Sequence, residues 1–208
     1  MNKIICVGRE FGSGGHEIAS IVAAKLGIHL YEKELLYLAC RYGEVSEKTL
    51  GKSDERATNP YLYEAVYEGN YQVMRGMPTS EVLYALQSHE IQKIAANESC
   101  VFVGRCADYV LRDAKDIQLL RVFVSAPFES RVRRKMALEQ LSHDKAAHLV
   151  KKTDKQRKKY YDTYTGQVWG DPAFYDMELD SSVTGMEAAA DLIVERYREM
   201  CPPCAQCH

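Results

Sequence analysis

The chain has 208 residues and a net charge of −2, and its charged and apolar fractions are ordinary for a soluble globular protein. The length suits one α/β domain with an insertion or a lid, and the charge gives no electrostatic basis for binding nucleic acid. No apolar run approaches the roughly 20 residues that a membrane helix needs, so we expect no membrane partner. Met1-Asn2-Lys3 leads straight into a short apolar stretch, from which we expect no signal peptide and a cytoplasmic location.

The first predicted strand, residues 3–7, is apolar and is followed by the glycine-rich turn Gly8-Arg9-Glu10-Phe11-Gly12-Ser13-Gly14-Gly15-His16-Glu17. Its glycines allow a tight turn and let backbone N–H groups approach an anion. A predicted helix starts near His16 and ends before Gly27, and a helix N-terminus favours phosphate. The order of strand, glycine turn and helix predicts a phosphate-binding loop. A tight turn without a ligand is the alternative.

The usual pattern of such loops, G-x-x-x-x-G-K-[ST], is not matched. Gly15 stands where the lysine is expected, and Glu17 stands where a magnesium-binding Ser or Thr is expected. Arg9 and His16 are candidates for the missing cation, and Arg9 keeps its charge at any working pH. The carboxylate of Glu17 can bind magnesium but repels phosphate. The metal ligands are otherwise left open.

Strands and helices alternate along the rest of the chain. Further strands are predicted at 28–31, 100–103, 119–124 and 177–179, with helices at 32–42, from an N-cap at Thr79 or Ser80, from Pro127 as first residue, and over 185–200. Residues 43–78 are the least regular and are predicted as helical pieces joined by turns. Alternating βα units imply a parallel sheet with helices on both faces, and ligands bind beyond the carboxyl ends of its strands.

That edge of the predicted sheet collects the groups that phosphoryl transfer needs. They are the glycine loop, Glu32 after the second strand, Arg105 after the third, and a basic helix with Arg131 and Arg134 after the fourth. Phosphoryl transfer uses anion-binding backbone, a magnesium site and several cations around the transferred group. Each basic residue alone is typical of a solvated helix surface, but the cluster after the fourth strand favours function.

The seven cysteines fall into two groups. Four lie in or beside apolar segments and are predicted to be buried in a reducing compartment: Cys6, Cys40, Cys100 and Cys106. The tail has the tandem C-x-x-C spacing of zinc sites, Cys201-Pro-Pro-Cys204-Ala-Gln-Cys207-His208. Adjacent Cys207 and His208 make it awkward to close one tetrahedron, so we expect residues 201–208 to be disordered instead.

Several motifs together make the chain similar to the cytidylate kinase-like family, a branch of the nucleoside monophosphate kinases. Besides the glycine loop they are Tyr31-Glu32-Lys33-Glu34-Leu35, the run from Val101 to Tyr109, the run from Ala126 to Arg134, and Asp154-Lys155-Gln156-Arg157. The resemblance covers roughly residues 3–198. It implies a single P-loop kinase-like domain over 1–200 with a five-stranded parallel sheet, a helical acceptor-binding insertion at about 43–97 and a lid at about 142–165.

The resemblance also implies roles for individual residues, with ATP and Mg²⁺ as cofactors. The residues implied to bind the ATP phosphates are Arg9, Gly12, Ser13, Gly14, Gly15, His16 and Glu17. Catalytic roles in and beside the lid fall to Arg131, Arg134, Asp154 and Arg157. The acceptor, a nucleoside monophosphate of the CMP type or another small molecule, is implied to contact Glu32, Arg41, Arg105 and Asp108.

Two positions depart from the true cytidylate kinases. Cys106 follows Arg105 where those enzymes have an acidic residue, and Asp108 is the candidate substitute. Leu38 follows Tyr37 where they have an arginine, and Arg41, one helical turn on, is the candidate replacement. The preference for cytidine is therefore left open.

Two function hypotheses follow. One is a kinase, favoured by the retained basic residues, and the other is a non-catalytic nucleotide-binding or sensing protein, favoured by the missing lysine. The oligomeric state is also open. Four tyrosines could line an acceptor pocket or a homodimer surface, or could pack within the insertion: Tyr61, Tyr63, Tyr67 and Tyr71.

Overall fold

In the computed structural model, which describes residues 1–57 and 76–200, five parallel strands form one sheet in the order β2-β3-β1-β4-β5. The strands are β1 (Asn2–Arg9), β2 (His29–Tyr31), β3 (Cys100–Val103), β4 (Ile117–Ser125) and β5 (Met177–Asp180). All four neighbouring pairs run parallel, with Ile5 opposite Val101 on one side and Leu120 on the other. The predicted five-stranded parallel sheet is confirmed.

Helices connect the strands and cover the sheet. In the described ranges they are α1 (Gly15–Leu26), α2 (Glu34–Gly43), α3 (Glu47–Leu50), α4 (Thr79–Asn97), α5 (Ala107–Val110), α6 (Phe128–Glu139), α7 (His143–Thr165), α8 (Ser181–Thr184) and α9 (Met186–Glu199). Short 3-10 turns lie at Gly51–Ser53 and Pro172–Phe174.

The alternation of side chains along β1 divides the core between the two faces of the sheet. Ile5 and Val7 point to one face, where α1 and α9 pack on them. Ile4 and Cys6 point to the other face, where α2, α4 and α5 cover them. Because both faces are buried, β1 is a continuous apolar run, as a central parallel strand must be. Its carboxyl end enters the glycine loop.

Most predicted element ends agree with the structure, and two do not. Gly27 ends α1 in the left-handed region with φ 65°, as predicted, and its N–H bonds back to the helix. The predicted N-cap of α4 was wrong, because Thr79 is already helical and its hydroxyl accepts a hydrogen bond from Ser53. Pro127 is the N-cap of α6 rather than its first helical residue.

The predicted burial of Cys6, Cys40, Cys100 and Cys106 is confirmed. The four tyrosines at 61–71 and the cysteine tail at 201–208 lie outside the described residues. Across residues 1–57 and 76–200, no helix combines the length and apolarity required to cross a membrane.

Candidate phosphate-binding site

The glycine loop occupies the turn between β1 and α1, at the carboxyl end of the central strand. Gly12 and Gly14 have φ angles of 86° and 84°, which L side chains rarely adopt. The Ser13 hydroxyl donates to the Glu10 carbonyl at 2.9 Å, and the Ser181 hydroxyl donates to the Ser13 carbonyl at 2.5 Å. No side chain caps the N-terminus of α1. Ser181, which follows β5, therefore holds the loop in place. The first N–H groups of α1 are available to an anion.

Position 15 has to be a glycine because the side chain of Arg9 packs against it. A Cβ on residue 15 would lie 2.5 Å from Arg9 Cβ, closer than real Cβ atoms approach. Likewise, a Cβ on residue 12 would lie 2.9 Å from the Arg131 carbonyl oxygen. The loop thus packs too tightly at position 15 for a lysine, and the long cationic side chain beside it belongs to Arg9.

An open cleft of about 330 Å³ lies over the loop. Its lining consists of Arg9, Glu10, Phe11, Gly12, Gly14, Gly15, His16, Glu17, Glu32, Lys33, Arg134, Lys135, Leu138 and Arg157. Cationic side chains outnumber carboxylates in this lining, and they come from the end of β1, the start of α2, α6 and α7. The cleft combines free helix N–H groups with positive charge, which is the combination that a polyphosphate requires.

Arg9 connects the loop to two carboxylates. Its Nη1 lies 2.7 Å from Glu55 Oε1, and its Nη2 lies 3.0 Å from Glu32 Oε1. The other oxygen of Glu32 contacts His16 Nδ1 at 2.7 Å. Arg9 is only 5% exposed. Its positive charge interacts with these two carboxylates, and its side chain also lines the cleft.

Arg131 and Asp154 fasten the loop to the helices that follow β4. They form an ion pair, and Asp154 Oδ1 accepts the Phe11 N–H at 2.7 Å. Arg131 also donates to the Ala126 carbonyl at 2.9 Å and pairs with Glu10 at 3.2 Å. Arg131 is only 7% exposed, and protein groups therefore fully occupy its guanidinium.

Arg134 and Arg157 contact different parts of the loop region. Arg134 pairs with Glu17 in the first turn of α1, at the mouth of the cleft. Arg157, from α7, donates to the Arg9 carbonyl at 3.3 Å and lies 3.3 Å from Glu55 Oε2. The contact between Arg157 Nε and Glu55 is an ion pair, but its geometry is not that of a hydrogen bond.

The family model for the cytidylate kinase-like family matches residues 4–183, which is most of the chain. This protein belongs to that family. The crystal structure of an uncharacterised protein from Eubacterium ventriosum is similar over 95% of this chain and 99% of that chain, with 28% identity and a TM-score of 0.70. No curated protein sequence matches the chain.

Two shikimate kinase structures share the fold of this family member. The enzyme from Acinetobacter baumannii, in complex with shikimate, has 10% identity and a TM-score of 0.52, covering 97% of this chain and 96% of that one. The enzyme from Bacteroides thetaiotaomicron has 11% identity and a TM-score of 0.53, covering 94% and 98%. Family and fold together indicate a P-loop kinase fold and a nucleotide-binding kinase.

The predicted acceptor residues of this kinase-like protein are dispersed. Glu32 lines the open cleft. Arg105 is buried, pairs with Asp54 at 2.6 Å and lines a smaller cavity of about 20 Å³, which shares Arg9 and Arg157 with the cleft. Asp108 lines the same small cavity and accepts the Tyr161 hydroxyl at 2.7 Å. Arg41 is exposed near the end of α2 over the ring of Tyr37, and it lines neither space.

Burial and charge shift three pKa values in this region. Burial alone would raise the pKa of Glu55, but Arg9, Arg157 and Arg105 outweigh it and hold that pKa well below its usual range. Burial, reinforced by the charge of Arg9, lowers the pKa of Arg157 to about 10, so it remains a cation at neutral pH. Burial raises the pKa of Asp108.

The sequence interpretation missed Asp54, Glu55 and Ser181. Asp54 and Glu55 follow a 3-10 turn in the irregular region, and their only signal was an adjacent acidic pair before Arg56. Ser181 starts a four-residue helix after β5 and carried no signal at all. Glu55 reaches Arg9 across 46 positions, Asp54 reaches Arg105 across 51, and Ser181 reaches Ser13 across 168, separations that local patterns do not show.

Proposed function

We propose that this protein transfers the γ-phosphate of ATP to a nucleoside monophosphate of the CMP type or to another small acceptor. The observation that carries the proposal is the cleft itself: an uncapped helix N-terminus beyond a glycine turn, faced by Arg9, Arg134 and Arg157. The triphosphate lies over the loop, where backbone N–H groups and these side chains neutralise its charge.

In the proposed reaction the acceptor oxygen forms a bond to the γ-phosphorus while the bond to the β,γ-bridging oxygen breaks. The electron pair of that bond leaves with ADP. Glu32 lies in the cleft and faces the loop, so we propose that its carboxylate accepts the proton of an acceptor hydroxyl. Arg157, on α7, supports the transferred group. We propose that α7, which covers the predicted lid segment, acts as that lid.

Mg²⁺ would supply charge neutralisation between the phosphates. A carboxylate oxygen suits this ion, and Glu17 offers one that is about half exposed and directed into the cleft. The residue pairs with Arg134, so binding the metal requires the two side chains to separate. In residues 1–57 and 76–200 no group of three His, Cys, Asp or Glu side chains could hold a metal unaided, which agrees with a metal carried largely by the nucleotide.

A second candidate is a nucleotide-binding protein without turnover. The engagement of Arg131 by Asp154, Glu10 and two carbonyls favours it, because this guanidinium is held by protein groups rather than directed at a phosphate.

The test is ADP release from Mg²⁺·ATP with a panel of nucleoside monophosphates, nucleosides and small hydroxyl compounds. We expect acceptor-dependent ADP release that is lost in Arg157→Ala but retained in Lys159→Ala, a nearby exposed residue of α7. ATP binding without release of ADP across the panel would favour the second candidate.

A further inference from the structure

Three arginines lie beside the carboxylate of Glu55, and two of them, Arg9 and Arg105, are buried. Arg9 contacts it at 2.7 and 3.3 Å, and Arg157 lies 3.3 Å from it. Arg105 lines the same small cavity as Glu55, and its charge helps to lower the pKa of that carboxyl. A cluster of three guanidinium groups is an anion-binding site by its chemistry, and in this protein a side chain of the chain itself fills it.

We infer that Glu55 is a specificity-determining residue, which fills the anion subsite of Arg9, Arg105 and Arg157 and so excludes acceptors that carry a phosphomonoester. The acceptor is then a hydroxyl compound without a phosphomonoester group. This inference rests on the proposed phosphotransfer and chooses between its two classes of acceptor.

The segment that carries Glu55 is built into the pocket. Asp54 accepts hydrogen bonds from Arg105 at 2.6 Å and from Gln87 at 3.1 Å, and the Ser53 hydroxyl donates to Thr79 at 2.9 Å. Each bond ties the segment to α4 or to the end of β3. Glu55 itself is held at φ 52°, a left-handed conformation that a non-glycine residue keeps only when its surroundings enforce it.

Gly104 makes room for the Arg9–Glu55 pair. A Cβ at this position would collide with both Arg9 Nη1 and Glu55 Oε1. The missing side chain at Gly104 therefore leaves the space that the Arg9–Glu55 pair occupies at the end of β3.

Space and charge both oppose a phosphomonoester beside Glu55. The small cavity that Glu55 and Arg105 line has a volume of about 20 Å³, room for about one water molecule. Among the described residues, the three arginines already face three carboxylates, Glu32, Asp54 and Glu55. A phosphomonoester carries a charge of roughly −1.5 to −2 at neutral pH, so it meets a subsite with no net positive charge. The donor cleft differs, because Lys33, Arg134 and Lys135 add charge there.

The test uses Glu55→Gln, which keeps the shape of the side chain and removes its charge. The full-length variant and the wild type are saturated with Mg²⁺·ADP to fill the donor loop, and inorganic phosphate and CMP are then titrated by calorimetry. We expect Glu55→Gln to bind both anions at least about tenfold more tightly than the wild type, because a like charge has been removed. Glu47→Gln, an exposed residue of α3, is the matched control and is expected to bind as the wild type does. Equal or weaker binding by Glu55→Gln would overturn the inference.

If Glu55→Gln does not fold, the wild type provides the decisive comparison. With Mg²⁺·ADP bound, it is expected to bind CMP no more tightly than cytidine, and tighter binding of CMP by tenfold would overturn the inference. Failure of the proposed phosphotransfer looks different: Mg²⁺·ATP then gives no ADP with any acceptor, whatever the affinity of Glu55→Gln for phosphate.

Discussion

Arg9 and Gly15 are in direct contact, and the side chain of Arg9 occupies the space into which a side chain at position 15 would extend. This contact accounts for the absence of a lysine from the glycine loop. Arg9 is buried at the end of β1 and its guanidinium lines the cleft, so a cation remains beside the loop although the residue that carries it has changed. The same arginine also reaches Glu55, which couples the loop to the neighbouring subsite.

Substitution of Gly15 by Ala is expected to weaken ATP binding and to destabilise the fold by about 1–3 kcal/mol, since the new Cβ overlaps Arg9 in a packed site. Gly27→Ala is the matched control. Gly27 also sits at a helix end, with φ 65°, but no heavy atom lies within 4 Å of an added Cβ. Gly27→Ala should lose about 1 kcal/mol of unfolding free energy from backbone strain alone and should keep its ATP affinity. Urea denaturation and calorimetry measure the two effects, and equal loss of ATP affinity in both variants would contradict the packing explanation.

Arg134→Ala is expected to raise the Kd for ATP by about tenfold while leaving stability within about 0.5 kcal/mol, because its pair with Glu17 is partly exposed and lies at the cleft mouth. Arg133→Ala removes the same charge from the next position of α6, on an exposed side chain that does not line the cleft. Its Kd for ATP should be unchanged. Similar increases in both variants would show that only the general charge of α6 matters.

Arg131→Ala is expected to reduce the free energy of unfolding by about 3 kcal/mol, since it leaves Asp154 and Glu10 without their buried partner. Chemical denaturation measures this loss. The variant Arg131→Lys should retain part of the stability that Arg131→Ala loses. A fully stable Arg131→Ala protein with abolished turnover would contradict this expectation and would favour the catalytic role implied by the family resemblance.

Much of the fold followed from the sequence because its signals are local. Ile4 to Val7 form an apolar run as a central strand requires, and Gly27 ends a helix in the conformation that glycine favours. The glycine loop was recognisable for the same reason. The partners of its side chains were not, because Glu55 reaches Arg9 across 46 positions and Asp154 reaches Phe11 across 143. The roles of Arg105 and Asp108 in acceptor binding stay predictions.

The stability contribution of Asp108 is expected to depend on pH. Its pKa is raised in the folded protein by burial, so the folded state binds the proton more tightly than the unfolded chain does. That contribution is complete below the ordinary pKa near 3.8 and is lost as the pH rises toward the folded pKa.

Asp108→Asn cannot lose a proton, so its stability relative to the wild type should increase across that pH window, by about 1.4 kcal/mol for each unit of pKa shift. Asp116→Asn removes a carboxylate from an exposed position nearby in the chain and is the control. Denaturation curves at a series of pH values measure both variants. A constant difference between Asp108→Asn and the wild type would contradict the raised pKa.

The proposed function requires that phosphate pass from ATP to a small acceptor in the cleft over the glycine loop. Phosphorus NMR of the protein with Mg²⁺·ATP and a pool of hydroxyl and phosphomonoester acceptors tests it most directly. We expect the ATP γ resonance to disappear while ADP and a new phosphoester or phosphoanhydride product grow in equal amounts. Unchanged ATP throughout the pool, with the nucleotide demonstrably bound, would contradict the claim.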